Sequence, residues 1–86
     1  MKFGATVEVQ LRAGIADPEG ATIERALPAL GFDEVARVRA GRSFRFELEA
    51  DDAEGAQRRA TELAERLLAN PVIEQSVVVV APLGGG

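Results

Sequence analysis

From Phe3 to Leu11 the apolar residues fall on alternate positions, Phe3, Ala5, Val7, Val9 and Leu11, with Thr6, Glu8 and Gln10 between them. A two-residue period places one set on one face of a pleated ribbon, so this segment predicts a strand with one buried face. Past the connector Arg12 to Ala16 the period changes. Asp17-Pro18 predicts an N-cap followed by proline at the first helical position, where a missing N–H costs nothing. Ile23, Ala26, Leu27 and Leu30 then recur at helical spacing, and Gly31 supplies a residue suited to a left-handed C-terminus. The predicted helix has about 13 residues and a length of about 20 Å. Pro28 lies inside it, where a backbone bond is lost and a distortion is expected.

Phe32 to Ala40 and Ser43 to Ala50 predict two strands around Gly41-Arg42. The second alternates cleanly, with Phe44, Phe46, Leu48 and Ala50 inward and Ser43, Arg45, Glu47 and Glu49 outward; the first is less regular, Val35 and Val38 being out of step. Asp51 or Asp52 predicts the cap of a second helix, with Glu54 three residues after Asp51 as a capping-box partner. Its apolar stripe is Ala56, Ala60, Leu63, Ala64, Leu67 and Leu68, and Asn70-Pro71 ends it because a residue before proline is driven out of the helical region. Ile73 to Ala81 predicts the last strand, stopped by Pro82.

The predicted order is therefore β-α-β-β-α-β, an α+β, two-layer, ferredoxin-like antiparallel sheet with two helices on one face. Residues 1–81 are expected to form a single domain, and residues 82–86 a flexible Pro/Gly tail. One feature of this sheet is out of balance. Val77, Val78, Val79 and Val80 are consecutive, so one pair points away from the helices while strands one and three keep that side mostly polar. An exposed pair of this kind predicts a covering subunit, and Val77, Val78, Val79 and Val80 are the candidate dimer interface, tested by Val78→Glu and Val80→Glu. Chain length points the same way: 86 residues hide only about 60 to 65% of their unfolded surface, so stability is expected to lean on association.

Charge and composition narrow the function. Ten Lys and Arg against fourteen Asp and Glu give a net charge of −4, with no basic cluster and no Trp or Tyr, so nothing favours a nucleic-acid surface. The apolar runs are too short to span a bilayer, and Met1-Lys2-Phe3-Gly4 leads straight into a strand pattern; a cytoplasmic chain without membrane contact is expected. There is no His or Cys, which removes the commonest general base, nucleophile and metal ligands. Asp51-Asp52 fits a helix cap and Glu47/Glu49 a solvated strand face better than metal sites. Gly41-Arg42-Ser43 lacks the following helix N-terminus of a phosphate loop. No catalytic, cofactor or metal residue is therefore assigned. Gly84-Gly85-Gly86 resembles the end of ubiquitin-like sulfur carriers, but their β-grasp order has two strands before the helix, and this chain does not.

Four blocks carry a more specific likeness: Asp17-Pro18-Glu19-Gly20, Leu30-Gly31-Phe32-Asp33-Glu34-Val35, Val38-Arg39-Ala40-Gly41-Arg42 and Leu67-Leu68-Ala69-Asn70-Pro71-Val72-Ile73-Glu74. In order and spacing, from about Met1 to Val80, the chain resembles the PurS family, the small subunits of phosphoribosylformylglycinamidine (FGAM) synthase. Pro28, the scarcity of aromatics and the PLGGG tail depart from the pattern. The resemblance implies a dimeric bridging subunit in purine synthesis without an active site of its own. In such a complex, formylglycinamide ribonucleotide, glutamine and ATP with Mg give FGAM; PurQ is the glutaminase and PurL the amidating, ATP-binding subunit. A stand-alone ferredoxin-like small-molecule-binding or regulatory module is the alternative, which a ligand-induced melting shift without partners would favour.

Overall fold

The computed structural model describes residues 1–84. Three strands, β1 (Lys2–Leu11), β2 (Gly41–Glu49) and β3 (Glu74–Pro82), form one antiparallel sheet in the order β2-β1-β3. The alternation of Phe3 to Leu11 has the consequence expected of it. Phe3, Ala5, Val7 and Val9 are buried on one face, opposite Leu48, Phe46, Phe44 and Arg42 of β2. On the other side, Ala5 faces Val80, Val7 faces Val78 and Val9 faces Ser76 of β3. Burying side chains the size of Phe3, Val7 and Val9 contributes about 1.5 to 3 kcal/mol each.

Helix α2 (Ala53–Leu63) covers this inner face over β3 and β1. Asp52 caps it, its Oδ1 accepting from the Gly55 N–H at 2.7 Å, so of the two expected caps it is Asp52 that serves. Ala56, Ala60 and Ala64 are fully buried. These methyl-sized contacts let helix and sheet approach closely. The helix continues into a π turn, Ala64–Leu68, in which the Ala69 N–H reaches back to Ala64 O at 2.9 Å. One extra residue in that turn rotates the stripe, so Leu67 is 74% exposed, whereas the 3.6-residue period placed it inward; Leu68 and Ala69 pack on the core instead.

The first helix departs further from expectation. α1 (Pro18–Ala26) is regular up to Pro28, where a 3-10 turn, Pro28–Leu30, replaces it, and Gly31 closes the turn at φ 88°. The distortion at Pro28 is thus the one expected, and so is the left-handed glycine. But α1 does not lie on the sheet of its own chain, as the two-helix layer required; Gly20 is its sole buried residue. Nor do Phe32 to Ala40 form the additional strand. The segment is a turn followed by irregular backbone, with Arg37 at φ 57°, and the order is β-α-β-α-β. The α+β class stands with three strands in place of four. The physical reason lies in the donors of this segment: the Val38 N–H is taken by Glu24 Oε1 at 2.9 Å and the Ala40 N–H by Asp17 Oδ2 at 2.7 Å. Backbone groups satisfied by carboxylates of α1 need no neighbouring strand.

The result is an elongated protomer, with principal extents of 50 × 33 × 14 Å and a radius of gyration of 16.5 Å. A compact chain of this length has about 12 Å.

Candidate interaction surfaces

The four valines separate by face. Val78 and Val80 face inward, half-buried, Val78 packing on the cluster of Val7, Val9 and Ala64. Val77 and Val79 face outward, 49% and 61% exposed. The outward pair, not Val78 and Val80, is therefore the one that substitution to Glu should test. Their cross-strand neighbours on β1 are Glu8 and Thr6, which in turn face Ser43 and Arg45, so the apolar strip is confined to the β3 side. Leu83, 41% exposed, extends it; its N–H donates to Lys2 O at 2.9 Å, so pairing continues past the Pro82 expected to stop it. Of the glycine tail, Gly85 and Gly86 lie outside the described residues. On the free edge of β3, Gln57 Nε2 donates to Val78 O at 3.1 Å, which closes the middle of that edge to another strand.

A second apolar surface is formed by α1 and the segment that returns from it. Ile23, Leu30, Phe32 and Val35 are 44%, 69%, 48% and 41% exposed. The backbone beneath them is held firmly all the same. Asp17 Oδ1 caps α1 by accepting from the Gly20 N–H at 2.9 Å while its Oδ2 accepts from Ala40. Arg39 adds an ion pair to Asp17 at 3.9 Å and donates to the carbonyls of Arg12 and Ile15. The backbone bonds from Gly20 and Ala40, with the Arg39 charge, hold the Asp17 carboxyl below its ordinary 3.8 against the opposing effect of burial. A side chain at Gly20 would collide with the Val38 carbonyl.

A third feature is a polar joint where β2 leaves the sheet end. Arg42 donates to both Glu74 oxygens at 3.0 Å and to Leu68 O at 3.2 Å, and its guanidinium lies 5.6 Å from the Phe44 ring centroid. Glu74 Oε1 also accepts from the Asn70 N–H at 2.7 Å. That backbone bond and Arg42 lower the Glu74 pKa, against burial. Arg12 donates twice to Pro71 O. At Gly41 a Cβ would stand 2.7 Å from Val9 O, so the strand can start here only with glycine.

These contacts absorb the polar residues that could have carried chemistry. An open depression of about 340 Å³ between Glu8, Gln10, Arg39, Arg42 and Ser43 is flanked by two guanidiniums, both engaged, which disfavours an anion there. Glu47 and Glu49 lie on the exposed side of β2 and Asp52 is a cap. Among the described residues, no group of three or more Asp, Glu, His or Cys could hold a metal, and no helix is long and apolar enough to cross a membrane. Sequence reasoning found the motif blocks without their role: the first joins the third through Asp17 and Ala40, and the third joins the fourth through Arg42 and Glu74.

Comparison with known proteins agrees with that arrangement. The family model described as PurS, phosphoribosylformylglycinamidine (FGAM) synthase, matches residues 4–82. The chain is 44% identical over 75 residues to FGAM synthase subunit PurS of Archaeoglobus fulgidus, covering 87% of this chain and 94% of that one. With the PurS subunit of Mycobacterium leprae the identity is 50% over 70 residues, covering 81% and 85%. Thermus thermophilus PurS superposes with a TM-score of 0.86 at 32% identity, over 98% of this chain and all of that one. A chain of the PurLQS structure from Thermotoga maritima gives 0.84 at 36% identity, over 94% and 99%. With three of its four motif blocks meeting at the two polar joints and its relatives matched over nearly their whole length, the chain belongs to the PurS family of FGAM synthase.

Proposed function

We propose that this chain is the non-catalytic bridging subunit of FGAM synthase, acting in the cytoplasm and holding the glutaminase PurQ and the synthetase PurL in one assembly. The observation that carries the reading is the likeness, over nearly all of both chains, to a chain of the PurLQS structure. ATP, Mg and glutamine are used by the other subunits, and this chain supplies surface. Fixing two active sites in register raises coupled turnover, because ammonia released at one is captured at the other before it escapes. Copies of the chain associate as homodimers or larger assemblies. Of the four valines, Val77 and Val79 serve as the contact between copies, while Val78 and Val80 belong to the chain's own core.

The test is reconstitution. PurL and PurQ with this chain are expected to form FGAM from glutamine, whereas PurL and PurQ without it retain ammonia-dependent but not glutamine-dependent synthesis. Full glutamine-dependent activity without this chain, or turnover by this chain alone, would overturn the proposal.

A further inference from the structure

The turn that joins the end of α2 to β3 is braced along its backbone. The Ala69 N–H donates to Ala64 O, and the N–H groups of Ile73 and Glu74 both donate to Asn70 O. The Asn70 N–H donates to Glu74 Oε1 and the Val72 N–H to Asn70 Oδ1. Of the carbonyls, Leu68 O accepts from Arg42, Pro71 O accepts twice from the Arg12 side chain, and Ile73 O accepts from the Arg12 N–H. This rigid frame nevertheless presents apolar side chains to solvent. Leu67 and Val72, 74% and 80% exposed, are the two most exposed large apolar residues among those described. Leu67 is turned outward by the π turn Ala64–Leu68, a rare distortion that is concentrated at functional sites.

We propose that Leu67 and Val72 are the anchors by which this chain docks on one of the two other subunits, in an apolar cleft rimmed by carboxylates. This rests on the bridging reading above and gives it a surface. Charge supplies the chemistry of the partner. Arg66 adjoins Leu67 and Arg12 lies on Pro71; among the described residues neither is ion-paired. Against these two guanidiniums stands Glu65, in the depression it shares with Arg12 and Pro71; Glu74, also there, is already neutralised by Arg42. A turn with excess positive charge, on a chain of net charge −4, selects a surface of opposite sign. A second copy of the chain fits poorly. A two-fold axis through this turn would set like guanidiniums against each other, and a head-to-tail contact would propagate into rings or filaments. Two aliphatic side chains cover far less than the roughly 800 Å² per partner of a stable interface, so they are its central anchors and the polar turn around them is its rim. Because the turn is ordered before it binds, docking costs little conformational entropy.

The wild-type chain and the Leu67→Ser/Val72→Ser variant are titrated into purified PurL and purified PurQ, separately and with both present, and affinities are read by calorimetry. Both substituted side chains are exposed, so the urea midpoint and the self-associated mass by light scattering are expected to match wild type. Affinity for one of the two subunits is expected to fall by roughly 100-fold, with the other unchanged. Arg66→Glu is expected to weaken binding to that same subunit and to reduce the salt dependence of its association. Three results would overturn the docking site: wild-type affinity of the double variant for both subunits, equal weakening toward both, or a double variant that has lost self-association, which would make a second copy the occupant. All three leave the bridging role intact. A wild-type chain that assembles with neither subunit removes the bridging role itself, and the docking site with it, so the two failures are read separately.

Discussion

Val78 and Val79 are adjacent, identical in type and opposite in consequence, which makes them the most informative pair to substitute. Val78 packs on Val7, Val9 and Ala64, of which Val7 and Ala64 are fully buried. Replacing it with Glu loses about 1 to 2 kcal/mol of burial for a half-buried valine and sets a carboxylate against an apolar cluster, a further cost of about 2 kcal/mol. The sum of about 3 to 4 kcal/mol is a large share of the roughly 4 to 13 kcal/mol expected for a chain of this size. Val79 is 61% exposed, and Glu there costs up to about 1 kcal/mol through strand propensity. Urea titration suits the comparison. With no Trp or Tyr, far-UV circular dichroism is the probe, both variants being measured at one protein concentration. With a slope of about 1 kcal/mol per molar, Val78→Glu should lower the midpoint by about 3 M or unfold the chain, and Val79→Glu by less than about 1 M. Light scattering should then find Val79→Glu folded but less associated than wild type. Equal shifts in the two midpoints, with the association of Val79→Glu unchanged from wild type, would refute the assignment of faces on which the interface reading depends.

Gly41→Ala forces a Cβ to within 2.7 Å of Val9 O and should destabilise the β1–β2 pairing, seen as a lowered melting temperature and faster amide exchange at the neighbouring strand residues. The Asp17 and Glu74 carboxyls have folded pKa values below their unfolded ones. Their contribution is therefore complete above the ordinary carboxylate range and disappears as pH falls through it and on through the lower folded values. Asp17→Asn, which lacks the second acceptor oxygen, should flatten the acid limb of the stability profile and speed exchange of the Ala40 amide; an unchanged profile would show that Asp17 does not tie the start of α1 to Ala40.

Much of the fold was legible because it follows from local periodicity. β1, the Asp17 cap, the break at Pro28, the αL glycine at Gly31 and the alternation of β2 each rest on residues within a few positions of one another. The failures share a different character. Residues 32 to 40 looked like a strand, but their backbone donors go to Glu24 and Asp17, 14 and 23 positions away for the hydrogen bonds to Val38 and Ala40, and no local pattern reports such a partner. Four identical valines carry no alternation, so their inward pair was fixed only by register with Ala5 and Val7. The exposure of α1 was illegible for a related reason: its stripe predicts burial, yet Ile23 is 44% exposed and Gly20 is the buried residue of the helix. Motif blocks were recognisable as strings, while their meeting at Asp17 and at Glu74 required the fold.

The strand order has a consequence for how the chain is made. β1 is synthesised first yet lies in the middle, and its two partners follow at residues 41–49 and 74–82. Until the second of these leaves the ribosome, one edge of β1 is bare, and Phe3 waits for Pro82 across nearly the whole sequence. Long-range pairing of this kind slows folding and prolongs exposure of sticky edges. Nascent chains should therefore remain dependent on chaperones until residues 74–82 emerge, and any stop codon before them leaves β1 paired with β2 alone and its other edge open, a substrate for quality control.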